Sequence, residues 1–288
     1  MALVRQGIEA ARAVLASAGI EDPRREADEL YAGVVQGAAS AAFAAREEAL
    51  PADRAASLEA AVRRRAAGEP QAYATGWVNF RGHWLRVDRR VLIPRPETEG
   101  LVELVLEWVR GRPARPAPVA VDVGTGSGAI AIALALEGPF ARVHAVERSG
   151  DALALARENV AAHGLAERVA CLGGDLLAPV AGVRADVVVS NPPYVTTGEL
   201  AGLDASVRFF EPVAALDGGP DGLEPTRRLV VAARHTLAPG GLLALEVDSR
   251  RADAAAELVQ DAGFPAVAIA YDLFNRPRYV WAEQSGAG

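Results

Sequence analysis

Apolar residues recur along this chain at two spacings, and the change of spacing divides it. Over residues 1 to about 72 they return at helical intervals: Ile8, Ala11, Val14 and Leu15, then Leu30 and Val34, then Leu58 and Val62. Gly19 ends the first of these helices, and Asp22-Pro23 caps the second. From Tyr73 to Ile93 the runs are short. Trp77-Val78-Asn79-Phe80 and Trp84-Leu85-Arg86-Val87 flank Arg81-Gly82-His83, a β-hairpin pattern. Pro94 and Pro96 around Arg95 then make a rigid arm. Glu97, Thr98 and Glu99 open an amphipathic helix through Leu101, Leu104, Val105 and Trp108. The arm reads equally as a connector or as a pocket wall.

Beyond the stiff linker 112–118, buried-strand runs alternate with helical stretches. The strands fall at 119–123, 142–147, 168–172, 186–190, 241–247, 267–271 and 278–282. The helices fall at 129–137, 151–163, 226–237 and 251–262, with Ser149 capping the second. This predicts an α/β protein: a doubly wound, seven-stranded Rossmann-like domain over 97–288, a small helical domain over 1–72, and a β-hairpin linker and arm over 73–96.

Composition narrows the chemistry. The chain has 288 residues, 51% hydrophobic and 23% charged, which predicts a packed core rather than disorder. No apolar run reaches the length of a membrane span, and Met1 to Gln6 lead into a charged amphipathic pattern, not a signal peptide. With a single cysteine, Cys171, these features predict a cytoplasmic protein. Cys171 sits in an apolar strand and reads as buried filler. All 30 basic residues are arginine, so lysine Schiff bases and a Walker lysine are excluded. His83, His144, His163 and His235 are scattered, so no metal site is expected. The net charge of -7 argues against a general nucleic-acid coat. Arg63-Arg64-Arg65 reads as a solvated helix end, with contact to an acidic partner as the alternative.

Four junctions carry candidate chemistry, each at the carboxyl end of a strand. Gly124-Thr125-Gly126-Ser127-Gly128 is a glycine turn opening a helix, where backbone approaches a ligand closely. Its spacing is not that of the dinucleotide fingerprint. Glu147, 19 residues after Gly128, is placed to accept two ribose hydroxyls. Asp175 is placed to accept an adenine amino group, with Leu176 packing on the base. Asn191-Pro192-Pro193-Tyr194 ends a strand abruptly. The Asn191 side-chain oxygen and the Pro192 carbonyl form a pair of acceptors for a planar amine or amide, and the Tyr194 ring can pack on it. Open α/β sheets bind ligands along this edge.

The glycine turn and Asn-Pro-Pro-Tyr together resemble class I S-adenosylmethionine-dependent methyltransferases that modify planar nitrogen. Further motifs follow in family order: Tyr73-x-x-Gly76, Phe80-x-Gly82, Val91 to Glu99, Asp122 to Gly128, Glu211-Pro212, Ala215-Leu216, Gly218-Gly219, Asp221-Gly222-Leu223 and Leu245-Glu246. Over residues 73 to about 281 the chain resembles the peptide chain release factor N5-glutamine methyltransferases. The resemblance implies S-adenosyl-L-methionine on Gly124, Thr125, Gly126, Ser127 and Gly128, with Glu147, Asp175, Leu176 and Asn191 completing its site. It implies that Asn191 and Pro192 grip the glutamine amide of the Gly-Gly-Gln loop of a class 1 release factor, and that Pro193 and Tyr194 shape the pocket. The helical region would recognise the factor, with no membrane and no direct nucleic-acid contact. Ribosomal-protein glutamine methyltransferases and DNA N6-adenine methyltransferases share Asn-Pro-Pro-Tyr and stand as alternatives. This chain departs from the family pattern at Asp248 and Arg251, where glycine and glutamine are usual, and at Asn275, where glycine is common.

Overall fold

The computed structural model describes residues 2–38, 40–113 and 115–286. The chain runs through α1 (Val4–Ser17), α2 (Pro23–Val35), α3 (Ala41–Ala44), α4 (Ala52–Ala66), α5 (Gln71–Thr75), β1 (Trp77–Phe80) and β2 (His83–Arg86). It continues through α6 (Pro96–Arg110), β3 (Val119–Val123), α7 (Ala129–Glu137), β4 (Arg142–Glu147), α8 (Gly150–Ala162), β5 (Val169–Gly173) and β6 (Ala185–Ser190). It ends with α9 (Ala205–Arg208), α10 (Glu224–Thr236), β7 (Leu237–Glu246), α11 (Ala252–Asp261), β8 (Val267–Tyr271) and β9 (Pro277–Glu283). Two compact units result: Met1–Arg89 with Leu203–Glu211, and Arg90–Gly202 with Pro212–Gly288.

The first unit buries Ala11, Leu15, Leu30, Tyr31, Leu58 and Val62 in one cluster. Val14 lies off that stripe and is 45% exposed, because the buried face of α1 follows Val4, Ala11 and Leu15. Asp22 caps α2 by accepting from the Arg25 amide at 3.1 Å, with Pro23 at the first helical position. The arginine run is only partly solvated. Arg65 makes a two-pronged pair with Glu26, at 2.6 and 2.8 Å, and Arg64 does the same with Glu69, at 2.6 and 2.8 Å. Arg63 meets Glu59 on the exposed side of α4. The hairpin turns on Arg81 and Gly82 alone, at φ 51 and 81, the paired positive values that suit a two-residue turn.

The second unit is a seven-stranded sheet in the order β5-β4-β3-β6-β7-β9-β8. Every pairing is parallel except the two made by β9. Strand order reverses between β3 and β6, so a crevice opens there at the carboxyl ends. The register fixes what meets in it. Val123 lies opposite Ser190, so Gly124 and Asn191 leave the sheet side by side. Ser190 lies opposite Leu245, which brings Glu246 alongside. Helix α7 is apolar all round, and Ala129 through Ala135 are buried. β7 starts directly after α10, with Leu237 opposite Ala185, and the pairing resumes at Leu242 after an irregular Ala238–Gly241. The sequence pattern placed this strand later because Pro239-Gly240-Gly241 reads as a turn.

The departures from the family pattern have physical accounts. Asp248 and Arg251 pair at 2.7 Å. Arg250 joins both Asp248, at 2.6 Å, and Glu199, at 2.7 Å, while Arg251 also reaches Glu199 at 2.7 Å. The Thr196 amide and hydroxyl, and then Arg251, hold the Glu199 carboxyl down at about 2. Asn275 has φ 58, a left-handed conformation that glycine adopts freely and asparagine tolerates. Among the described residues, no helix is long and apolar enough to cross a membrane.

Candidate active site

The crevice holds a cavity of about 490 Å3. Gly124, Gly126, Glu147, Asp175, Leu176, Asn191, Pro192 and Pro193 all line it. Thr125, Ser127, Gly128 and Tyr194 do not line it, and the first three brace the turn from behind. Thr125 donates its hydroxyl to Asp122 at 2.5 Å, and the same carboxylate oxygen accepts from the Ala131 amide at 3.1 Å. Asp122 is fully buried, and burial pushes its carboxyl up to about 7. The Ser127 carbonyl accepts from the Asn159 side chain at 2.8 Å. Gly124 and Gly126 have φ 72 and 55, with no atom closer than 4.0 Å to a hypothetical Cβ. Glycine is needed there for backbone conformation rather than for space.

Glu147 ties the turn to the next loop. One carboxylate oxygen accepts from the Gly126 amide at 3.0 Å and the other from Ser149 at 2.9 Å. Each oxygen keeps lone-pair capacity for a ligand hydroxyl. Asp175 is paired with Arg228, which the sequence reading had not placed in the site and which also lines the cavity. No sequence spacing could have signalled Arg228, since it lies on α10, 53 positions away.

Asn191 is held from one side. Its side-chain NH2 donates to the Thr98 hydroxyl at 3.1 Å, and Thr98 donates to Glu246 at 2.7 Å. Thr98 comes from the first turn of α6 and Glu246 from the end of β7. Glu246 is 0% exposed, and burial pushes its carboxyl up to about 7 against the opposing pull of Thr98 and Arg278. Burial, and then the charge of Glu246, raise the Tyr194 phenol to about 12, so Tyr194 is a neutral ring rather than a base. Of the proline arm, Val91 and Leu92 reach the cavity wall, together with Arg90. Pro96 opens α6, and the charge of Arg95 acts on the Tyr194 phenol from beside the turn.

The residues after Asn-Pro-Pro-Tyr are strapped to 212–219. Val195 donates its amide to Leu216 at 3.0 Å, and Gly218 donates to Val195 at 2.7 Å. A Cβ at Gly218 would stand 2.7 Å from the Pro193 carbonyl oxygen, so the Gly218-Gly219 motif allows this close approach. Cys171 is half-buried rather than buried, and burial pushes its thiol up. Among the described residues, no three His, Cys, Asp or Glu side chains gather as a metal site.

A doubly wound sheet with one antiparallel strand, carrying a glycine turn beside a buried-edge acid and Asn-Pro-Pro at its switch point, defines a Rossmann-like methyltransferase. Comparison supports the class and narrows it. Residues 104–216 match the methyltransferase small domain family, and residues 6–76 match the PrmC N-terminal domain family. The release factor glutamine methyltransferase of Moorella thermoacetica is 45% identical over 260 residues, 90% of each chain. That of Deinococcus radiodurans is 41% identical over 278 residues, 96% of each chain. The hMettl16 catalytic domain superposes with a TM-score of 0.56 at 16% identity, covering 83% of this chain and 84% of that one, a likeness of fold. This chain belongs to the release factor glutamine methyltransferases, enzymes that take their methyl group from S-adenosylmethionine. The cavity fits that donor: positive-φ glycines clear one wall, Glu147 offers lone pairs, and Val146, Ala152 and Leu176 give an apolar slot.

Proposed function

We propose that the reacting group is the side-chain amide nitrogen (N5) of the glutamine in the Gly-Gly-Gln loop of a class 1 release factor. One observation carries this reading. Asn191 and Pro192 line the same cavity as Gly124, Gly126 and Glu147, so an amide acceptor pair and a donor-sized slot share one space. S-adenosylmethionine, when bound, supplies an electrophilic sulfonium methyl. Glu147 accepts from the ribose hydroxyls, Leu176 packs on the adenine, and Asp175 turns one oxygen from Arg228 toward the adenine amino group. The peptide backbone at Gly124 and Gly126 follows the remainder of the donor, while Thr125 and Ser127 hold that turn from behind.

The glutamine NH2 donates to Asn191 Oδ1 and to the Pro192 carbonyl, while Pro193 on the cavity wall keeps the amide plane fixed and Tyr194 stiffens the turn from behind. An amide nitrogen is a weak nucleophile because its lone pair is delocalised. Holding it in line with the methyl lowers the barrier by position. The N–C bond would form as the sulfonium S–C bond breaks, the donor would leave as a neutral thioether, and the methylated amide would lose its extra proton to solvent. The high Tyr194 pKa supports a mechanism without a phenolate. The first unit, α1 to α5 with the hairpin, recognises the body of the factor. The setting is the cytoplasm, where release factors work.

The test incubates the enzyme with a release factor, its Gln→Asn variant and adenine-containing DNA in parallel. Methyl transfer to the unaltered factor alone is expected, because asparagine leaves the amide about one carbon–carbon bond short of its target. Labelling of DNA, or of both factors equally, overturns the proposal.

A further inference from the structure

Leu245-Glu246 and Thr98 belong to motifs whose chemistry the reaction does not explain. Neither side chain lines the cavity, yet both lie in one hydrogen-bonded chain that ends on Asn191. We infer that Thr98 and Glu246 are positioning residues that set which end of the Asn191 amide faces the substrate. This rests on the reading that Asn191 Oδ1 accepts from the substrate NH2.

The argument is one of donors and acceptors. A hydroxyl has one hydrogen to give, and an ionised carboxylate only accepts. Glu246 is fully buried and accepts the hydrogen bond that the Thr98 hydroxyl donates at 2.7 Å. Thr98 is then left as an acceptor toward Asn191, and only the NH2 end of that amide can satisfy it, as the 3.1 Å contact shows. Oδ1 is therefore the end left for the cavity. Among the described residues, no protein donor takes it. Asparagine's two ends are nearly equal in size, so packing alone cannot choose between them. The polarity has to come from a partner with a fixed role.

The polarity reverses if Glu246 gains a proton. A carboxylic acid can donate to Thr98, which then donates to Asn191, and the amide is turned with NH2 toward the substrate NH2. Two donors then face each other and the grip is lost. The groups facing Glu246 are Glu97 and Thr98 from α6, Arg278 and Tyr279 from β9, and Asn191 and Tyr194 from the turn after β6. Burial is the largest influence and puts the pKa at about 7. Thr98, then Arg278, favour the ionised form, Glu97 opposes it, and the Asn191 NH2 adds its own pull on the carboxylate, which reinforces the same orientation of the amide. The rate should therefore rise with pH through about 7.

The experiment measures kcat, KM for release factor and cofactor affinity in the full-length enzyme. The variants are Thr98→Val, Thr98→Ser, Glu246→Gln and Asn191→Ala. Valine keeps the shape of threonine and removes the hydroxyl. Thr98→Val should lower kcat about tenfold or more with cofactor affinity unchanged, while Thr98→Ser stays within about threefold of wild type. Glu246→Gln should slow turnover and flatten the rise in kcat with pH. Wild-type turnover in Thr98→Val beside an inactive Asn191→Ala overturns the inference and leaves the Asn191 reading standing. So does equal slowing in Thr98→Val and Thr98→Ser, or an unchanged pH profile in Glu246→Gln. An active Asn191→Ala overturns the Asn191 reading itself.

Discussion

The Gly126 amide donates to Glu147 at 3.0 Å, so the glycine turn and the acid of the next strand are one mechanical unit. Glu147 also holds Ser149, the cap of α8, through its other oxygen. Glu147→Ala therefore removes a ligand acceptor and frees two loops together. At about 1.5–3 kcal/mol for a bond to a charged acceptor, calorimetry should show at least a roughly tenfold loss of S-adenosylmethionine affinity. Glu147→Gln keeps one acceptor oxygen and should lose less. Unchanged affinity in the alanine variant would mean that the ribose acid has been misassigned.

Gly218 brings the strap against the Asn191-Pro192-Pro193 turn. A methyl group there stands 2.7 Å from the Pro193 carbonyl and 2.8 Å from the Gly222 carbonyl, and backbone cannot swing aside as a side chain would. Gly218→Ala should displace Pro193 and lower kcat sharply, since rates fall steeply with misplacement of the reacting groups. Steady-state kinetics close to wild type would show that the strap yields without moving the turn.

The Glu246 carboxyl is a buried acid whose pKa stands at about 7 in the folded chain, against 4.5 for an ordinary glutamate. A raised pKa gives a stability contribution that is complete below about 4.5 and lost as pH rises through about 7. Glu246→Gln removes this loss, so its melting temperature relative to wild type should be higher at pH 8 than at pH 5. Asp122 titrates in the same window but is common to both proteins and drops out of the difference. A melting difference independent of pH would refute the assignment.

Arg65 and Glu26 join α4 to α2 through two short bonds, and their side chains are only 19% and 21% exposed. Arg65→Ala strands the Glu26 carboxylate and should cost about 1–3 kcal/mol in denaturant unfolding. Arg63→Ala, on the exposed face, should change stability by less than about 0.5 kcal/mol. Equal effects would return both arginines to the solvated surface.

The strand–helix alternation and the turns that line the cavity were legible because each depends on local chemistry. Gly124 to Gly128, Asn191-Pro192-Pro193 and the cap at Ser149 announce themselves within a few residues. What escaped was long-range pairing. Thr98 and Glu246 are 148 positions apart and Asp175 and Arg228 are 53 apart, and nothing in their local surroundings signals the partner. The arginine run shows the same limit. Its helix-end position was readable, and Glu69 lies only five positions beyond Arg64, but Glu26, the partner of Arg65, comes from 39 positions away. The segment Leu203–Glu211 belongs to the compact unit formed with Met1–Arg89, an assignment its own sequence does not announce.

The four charges Glu199, Asp248, Arg250 and Arg251 bear on how this chain exchanges parts with its relatives. Placing glycine at position 248 alone would leave Arg250 and Arg251 with Glu199 as their one shared carboxylate, a surplus of positive charge. Restoring glutamine at position 251 alone would leave Asp248 and Glu199 each one guanidinium short. Each single step toward the common pattern thus passes through an unbalanced cluster, whereas the combined change does not. These positions should therefore move as a block in any chimaera, and a grafted β7 terminus that arrives without a matching residue at position 199 should loosen the loop that follows the amide-binding turn.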